Sequence, residues 1–262
     1  MGPVIVCDLD GVLWRGDTPI PGSADAVAAL RAAGRRVAFL TNNSSHRVAD
    51  VVAKLGRFGV PAEPTDVLSS AQAAAELLRA RLAPGSRVLV CGGPGVVEAV
   101  TGAGLVAVAN DRELDAPVAA VVCGFHRDFD FDRLDRAASA VRDGARFVAT
   151  NLDATYPGDH RVLPGAGSLV AAVATASGRS PEVAGKPAAA TVALVRERLG
   201  TDGVMVGDRP STDGALATAL GWPFAMVRSG IGGHDPSEPV PDPAPAHLAE
   251  DLGRLVPALL RG

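Results

Sequence analysis

Cysteine, lysine and aromatic side chains are all scarce in this chain of 262 residues, and each shortage narrows what the chain can do. Cys7, Cys91 and Cys123 are odd in number and each lies in an apolar, strand-like run. No disulfide framework is therefore expected, and the thiols should be reduced and buried, as in a cytoplasmic protein. The five histidines, His46, His126, His160, His234 and His247, show no ligand-like spacing, which argues against a zinc site. No basic run interrupts the formal net charge of −4, so a nucleic-acid groove or an anionic membrane surface is not expected. No apolar run approaches the ~20 residues of a membrane span, and a first strand opening at about the third residue leaves no room for a signal peptide. Lys54 and Lys186 are the only lysines, every other cationic side chain being arginine, so either is a place where an ammonium itself is wanted. Aromatics make up 4% against an apolar content of 47%, which predicts an interior of Ala, Val and Leu, ordinary for helices layered on a sheet.

What is present begins with Val4-Ile5-Val6-Cys7-Asp8-Leu9-Asp10-Gly11-Val12-Leu13-Trp14. The β-branched run reads as a buried parallel strand, and it stops at two aspartates and a glycine. Carboxylates fit at the carboxyl edge of an open α/β sheet, where such sheets bind ligands, and Gly11 lets the backbone pass close to whatever sits there. A plain Asp- and Gly-rich turn reads the same way at this point. A helix capped by Ser23 and stopped by Gly34 then leads to a strand over 36–40 that ends in Thr41-Asn42-Asn43-Ser44-Ser45, with the next helix expected to begin at Ser45. Pro84-Gly85 breaks the rhythm, and a second α/β set follows: strands over 87–91, 105–108, 119–125 and 146–150, with helices over 96–101 and 131–143. Gly92-Gly93-Pro94-Gly95 lacks the third small residue of a dinucleotide fingerprint, Glu98 standing there, and reads as a structural turn. Asn151 to Arg161 is a long polar loop at a strand end. After a helix over 168–177, Val183-Ala184-Gly185-Lys186-Pro187 and Gly203-Val204-Met205-Val206-Gly207-Asp208-Arg209 repeat the opening device, with Asp213 opening a helix. Gly230 to Gly233 is expected as a flexible turn, 236–245 as a proline-rich surface segment, and His247 to Leu260 as a closing helix. The expected organisation is a Rossmann-like parallel-sheet α/β core formed by 1–82 and 181–262, with an α/β cap inserted at 83–180.

In a parallel sheet the strand ends share one edge, so Asp8, Asp10, the Thr41 to Ser44 stretch, Lys186, Asp208 and Asp213 can converge. Several carboxylates around one point repel unless a cation joins them, and hard oxygen ligands suit Mg²⁺. A lysine, a hydroxyl and amides beside that ion would take a tetrahedral oxyanion such as phosphate.

Asp8-Leu9-Asp10-Gly11-Val12-Leu13-Trp14, Thr41-Asn42-Asn43-Ser44, Gly185-Lys186-Pro187 and Gly207-Asp208-Arg209 through Asp213 resemble, in order, the four motifs of the haloacid dehalogenase (HAD) superfamily. The Thr-Asn-Asn-Ser form and the placement of the insert are similar to its NagD and p-nitrophenylphosphatase-like subfamily, as is the return through Leu163-Pro164-Gly165-Ala166-Gly167-Ser168. The resemblance implies a Mg²⁺-dependent phosphatase. Asp8 would attack phosphorus to give an aspartyl-phosphate, and Asp10 would act as acid and then base. Thr41, Asn42, Asn43 and Lys186 would hold the phosphoryl oxygens. The Asp8 carboxylate, the Asp10 carbonyl and Asp208 would hold the metal, with Asp213 as ligand, lysine support or helix cap and Gly11 supporting the turn. It places substrate selection on the cap loop, with Asn151, Asp153, Tyr156, His160 and Arg161 as candidates. The partner would be a small phosphorylated metabolite, of glycerol phosphate, phosphoglycolate, sugar phosphate or pyridoxal phosphate type, and caps of this subfamily often meet in homodimers. A phosphotransferase or mutase using the same Asp8, and a non-catalytic phosphometabolite-binding protein, are the alternative readings.

Overall fold

The computed structural model describes residues 2–157, 161–230 and 242–261. Its main sheet has six parallel strands, in the spatial order 247–249, 224–227, 203–207, 4–7, 37–41 and 67–69. A second parallel sheet of five strands is ordered 182–183, 146–149, 120–123, 87–91 and 106–109. The strands Val4–Cys7, Val37–Thr41 and Ala120–Cys123 are buried along their whole length, so their apolar residues run on without alternation. One apolar cluster continues from Val6 and Met205 of the main sheet, through Leu78 of the helix Ser70–Arg79, to Val90 and Val122 of the second sheet. The two sheets are thus joined by packed side chains as well as by the chain. Among the described residues no helix is long and apolar enough to cross a membrane.

Several expected boundaries move, each for a local reason. The helix expected from Ser45 begins at Val48, because the Asn43 side-chain oxygen takes both the Ser45 N–H and its hydroxyl. Asp50 then accepts the Arg47 N–H at 3.2 Å and starts the helix there. Ser23 does not cap its helix; Gly22 stands at the cap, and the Ser23 hydroxyl donates to the Val12 carbonyl at 3.0 Å. The Asn151 to Arg161 loop contains one arm of a small antiparallel hairpin, Thr155–Pro157 against Val162–Pro164. The closing helix is shorter than expected. His247–Ala249 instead extends the main sheet beside Phe224–Val227, and the helix Leu252–Arg261 starts after Asp251, whose carboxylate takes the Arg254 N–H at 2.9 Å. Asp213 lies in the wide helical turn Pro210–Gly214, which runs without a break into the helix Ala215–Leu220, so helical structure starts ahead of it. The expected turn beyond Gly230 and most of the proline-rich segment lie outside the described residues.

Candidate active site

Strand ends deliver the site, as their sequences suggest. Asp8 follows Val4–Cys7 and its N–H donates to the Val206 carbonyl at 2.8 Å, which registers it against the neighbouring strand that ends before Asp208. Lys186 is the centre of the arrangement. Its Nζ donates to Asp8 Oδ1 at 2.6 Å and to Asp213 Oδ1 at 2.7 Å, all three side chains being at least nine-tenths buried. Burial works against the ammonium, but Asp213 and then Asp8 outweigh it, so the lysine stays charged. The Asp8 carboxyl is pushed well above the usual carboxylate range, by burial first; Lys186 opposes this, while Asp213, Asp208 and Asp10 add to it. Asp213 has a second bond, from the Arg209 N–H at 3.2 Å, so it serves as the anchor that aims the lysine.

The donor set suits a divalent cation. Carboxylate oxygens of Asp8, Asp208 and Asp213 lie within 4.8 Å of one another, with one ammonium among three acids, so the ionised cluster carries a formal charge of −2. Hard carboxylate oxygens in that excess fit Mg²⁺. Gly11 is required beside them: it has φ +89°, and a Cβ there would stand 2.7 Å from Asp208 Oδ2. Asp10 is only partly buried, and its carboxylate accepts the Trp14 Nε1–H at 2.9 Å. Burial raises its proton affinity, with Lys54 and the Trp14 bond pulling the other way.

The second motif braces this cluster and joins it to the other sheet. Asn42 accepts the Lys186 N–H on its Oδ1 at 2.9 Å and donates from Nδ2 to Asp153 at 3.2 Å. Its carbonyl takes Asn151 Nδ2 at 2.7 Å and the Ser70 hydroxyl at 2.6 Å. Asn42 and Asn151 are therefore occupied in bracing, while the Thr41 hydroxyl accepts the Asn43 N–H at 2.9 Å. Above Asp8 opens a cavity of about 930 Å³ that both sheets line. Tyr156 faces it, with its ring edge-on to Phe125 at 5.1 Å. Arg161 is exposed and stands outside the cavity's described lining, and His160 lies outside the described residues.

Two groups on the wall escaped the motif reading. Lys54 donates to the Gly16 carbonyl at 2.6 Å, pairs with Asp17 at 3.2 Å and lies 4.6 Å from the Trp14 ring centre. Its rarity in an arginine-rich chain was the available signal. Phe125 to Asp128 forms a wall opposite the main sheet, and the polar residues just after the strand Ala120–Cys123 could have announced it.

Residues 5–106 match a family model described as haloacid dehalogenase-like hydrolase, and residues 183–255 a second described as HAD-hydrolase-like. The D-glycerol 3-phosphate phosphatase of Mycobacterium tuberculosis is 39% identical over 254 residues, spanning 96% of this chain and 70% of that protein. The crystal structure of a glycerol phosphate phosphatase from the same species with magnesium superposes at TM-score 0.86 with 38% identity, covering 97% of this chain and 76% of the other. A p-nitrophenyl phosphatase from Archaeoglobus fulgidus superposes at TM-score 0.86 with 28% identity, covering 99% and 100%. Motif order, sheet topology and these likenesses agree: the chain belongs to the haloacid dehalogenase-like hydrolase family, in its NagD and p-nitrophenylphosphatase-like branch of phosphatases.

Proposed function

We propose that this phosphoric monoester hydrolase removes phosphate from a small metabolite, of glycerol 3-phosphate, phosphoglycolate, sugar phosphate or pyridoxal phosphate type, through an aspartyl-phosphate at Asp8. The observation that carries this reading is the buried Asp8, Lys186 and Asp213 cluster, of which Asp8 and Lys186 line the cavity together with Asp208. Asp8 attacks phosphorus in line with the departing oxygen, and Lys186 neutralises charge on the phosphoryl group. Asp10 gives a proton to the leaving oxygen and takes one from the water that cleaves the acyl phosphate; its raised proton affinity suits a carboxylate that must gain and then give up a proton. Thr41, Asn42 and Asn43 form the turn around the phosphoryl oxygens. The Asp8 carboxylate, the Asp10 carbonyl and Asp208 would hold Mg²⁺. When bound, that ion supplies Lewis-acid withdrawal of charge from the phosphoryl oxygens.

The roof is the cap, spanning 83–180, with 1–82 and 181–262 as the core; the short strand 182–183 shares the cap's sheet. The roof favours small leaving groups, with Asp153 and Tyr156 as candidate contacts, and the neighbours named for glycerol phosphate support the polyol end of the range. Cytoplasmic residence and pairing of two copies through the cap complete the proposal. The test is phosphate release from a panel of small phosphomonoesters with Mg²⁺ or with EDTA, for wild type and Asp8→Asn. Metal-dependent release that vanishes in the variant is expected. Absence of release from every ester would favour a transfer reaction or a binding role.

A further inference from the structure

Behind the cavity wall lies a second reactive cluster that the phosphatase chemistry does not use. Cys91 and Cys123 end neighbouring parallel strands and are directly paired in register. Cys91 Sγ is 3.5 Å from His126 Nε2, and His126 Nδ1 is 2.8 Å from Asp128, which also pairs with Arg133 at 2.9 Å. We propose that Cys91 and Cys123 are an oxidisable dithiol, with Cys91 as the thiolate that reacts with a hydroperoxide and Cys123 as the thiol that resolves it. The remaining groups around the pair support it. Hydrogen bonding from the Cys123 thiol, then from His126, with Asn110 adding a further bond, holds the Cys91 thiol well below its ordinary value, against its burial. Cys123 moves the other way, raised by its bond to Cys91 and by burial, while the His126 imidazole stands against Cys91. For His126, burial opposes the imidazolium, but its bonds to Cys91 and Asp128 win. The Cys91 thiolate takes one oxygen from the hydroperoxide, releasing hydroxide or alkoxide and leaving a sulfenic acid. Cys123 then attacks that sulfur, a disulfide forms, and the sulfenic oxygen leaves as water; the peroxide is the species reduced. Neighbouring strands stand about 4.8 Å apart, inside the ~4.4–6.8 Å between Cα atoms that a disulfide bridges. Both thiols are buried, but His126 and Gly92, the residue after Cys91, line the cavity, so a water-sized oxidant has one layer to cross. Oxidation would take the thiolate from His126 and disturb the wall facing the substrate.

The experiment treats the whole protein with hydrogen peroxide, quenches in acid, alkylates the unfolded chain and maps peptides without reduction. A peptide pair linked through Cys91 and Cys123 is expected while Cys7, whose thiol burial pushes up to about 12, stays alkylatable as a thiol. Cys123→Ser should stop at a sulfenic acid on Cys91, trapped by dimedone. Between about pH 8 and pH 6 the Cys91 rate should fall less steeply in wild type than in His126→Gln, where the loss reaches at most the roughly 75-fold of a thiol of ordinary pKa ~8.5. Asp128→Asn, an exposed change that spares the fold, should begin the same loss. Oxidation of Cys7 as fast as Cys91, the absence of a linked pair, or a pH profile unchanged from wild type in both His126→Gln and Asp128→Asn would overturn the proposal.

Discussion

Lys186→Met removes a cation that two buried carboxylates share. The lysine side chain is 3% exposed, and those of Asp8 and Asp213 are 10% and 1% exposed, so solvent screens these pairs little. Losing one partner of a buried pair costs about 3–5 kcal/mol. Protonation of Asp8 limits that loss, because burial already favours its neutral form, which places the expected cost near ~3 kcal/mol. At roughly 2–4 °C per kcal/mol for a chain of this size, the melting point should fall by about 6–12 °C at pH 7 in EDTA. The pH dependence has a definite sign. A carboxyl whose folded pKa lies above its unfolded value destabilises the fold when charged, and the penalty fades as the pH falls through the folded pKa. Without Lys186 the Asp8 pKa rises further, so the gap between variant and wild type should narrow from about pH 8 to about pH 5.5. Lysine titration does not intervene, since the raised pKa of Lys186 keeps its contribution whole across that window. Calorimetry with EDTA at several pH values reads all of this. A variant that melts within ~2 °C of wild type, or a gap that widens on acidification, would refute the reasoning.

Phosphate release by the same variant should drop by about 100-fold or more, because the phosphoryl group loses a charged donor. Asp8→Asn should abolish turnover yet melt no lower than wild type in EDTA, since it deletes a carboxylate that burial and three acids disfavour; a lower melting point would contradict the charge argument. Gly11→Ala forces a side chain into φ +89° and against Asp208, for about 1–3 kcal/mol of stability and a higher Mg²⁺ requirement in a metal titration of activity. Asn42→Ala strands the Lys186 N–H and frees Asp153, which should cost about 1–3 kcal/mol in urea unfolding and lower kcat at saturating substrate.

Asp8, Lys186 and Asp208 were legible because a buried strand that ends in charge is costly without a use, and parallel topology brings such ends together. The role of Asp213 was open in sequence, since aspartate near a helix start serves equally as cap or ligand; only the 2.7 Å contact shows it holding Lys186. Asn42 and Asn151 carried polar side chains that suit substrate or scaffold alike, and their bonds run largely to backbone across more than a hundred residues of sequence, which no local pattern encodes. The strand at His247–Ala249 was hidden for a similar reason: its pairing depends on a free sheet edge beside Phe224–Val227, and the segment alone has no strong period. The Phe125 to Asp128 wall was missed because its residues match none of the four motifs.

Where the two sheets meet, main chain touches main chain. The Gly95 N–H donates to the Ser45 carbonyl at 3.1 Å, and a methyl at Gly95 would lie 2.0 Å from the His46 carbonyl oxygen; one at Gly93 would lie 2.6 Å from the Ser45 carbonyl oxygen. Peptide groups have no rotamers to trade, so this seam acts as a spacer of fixed thickness. The height of the chamber over Asp8 is gauged by backbone, while side chains on the walls only trim its outline. A single added methyl at Gly95 would work as a shim, jacking the roof away from the floor and changing the size of molecule admitted without altering any group that touches it.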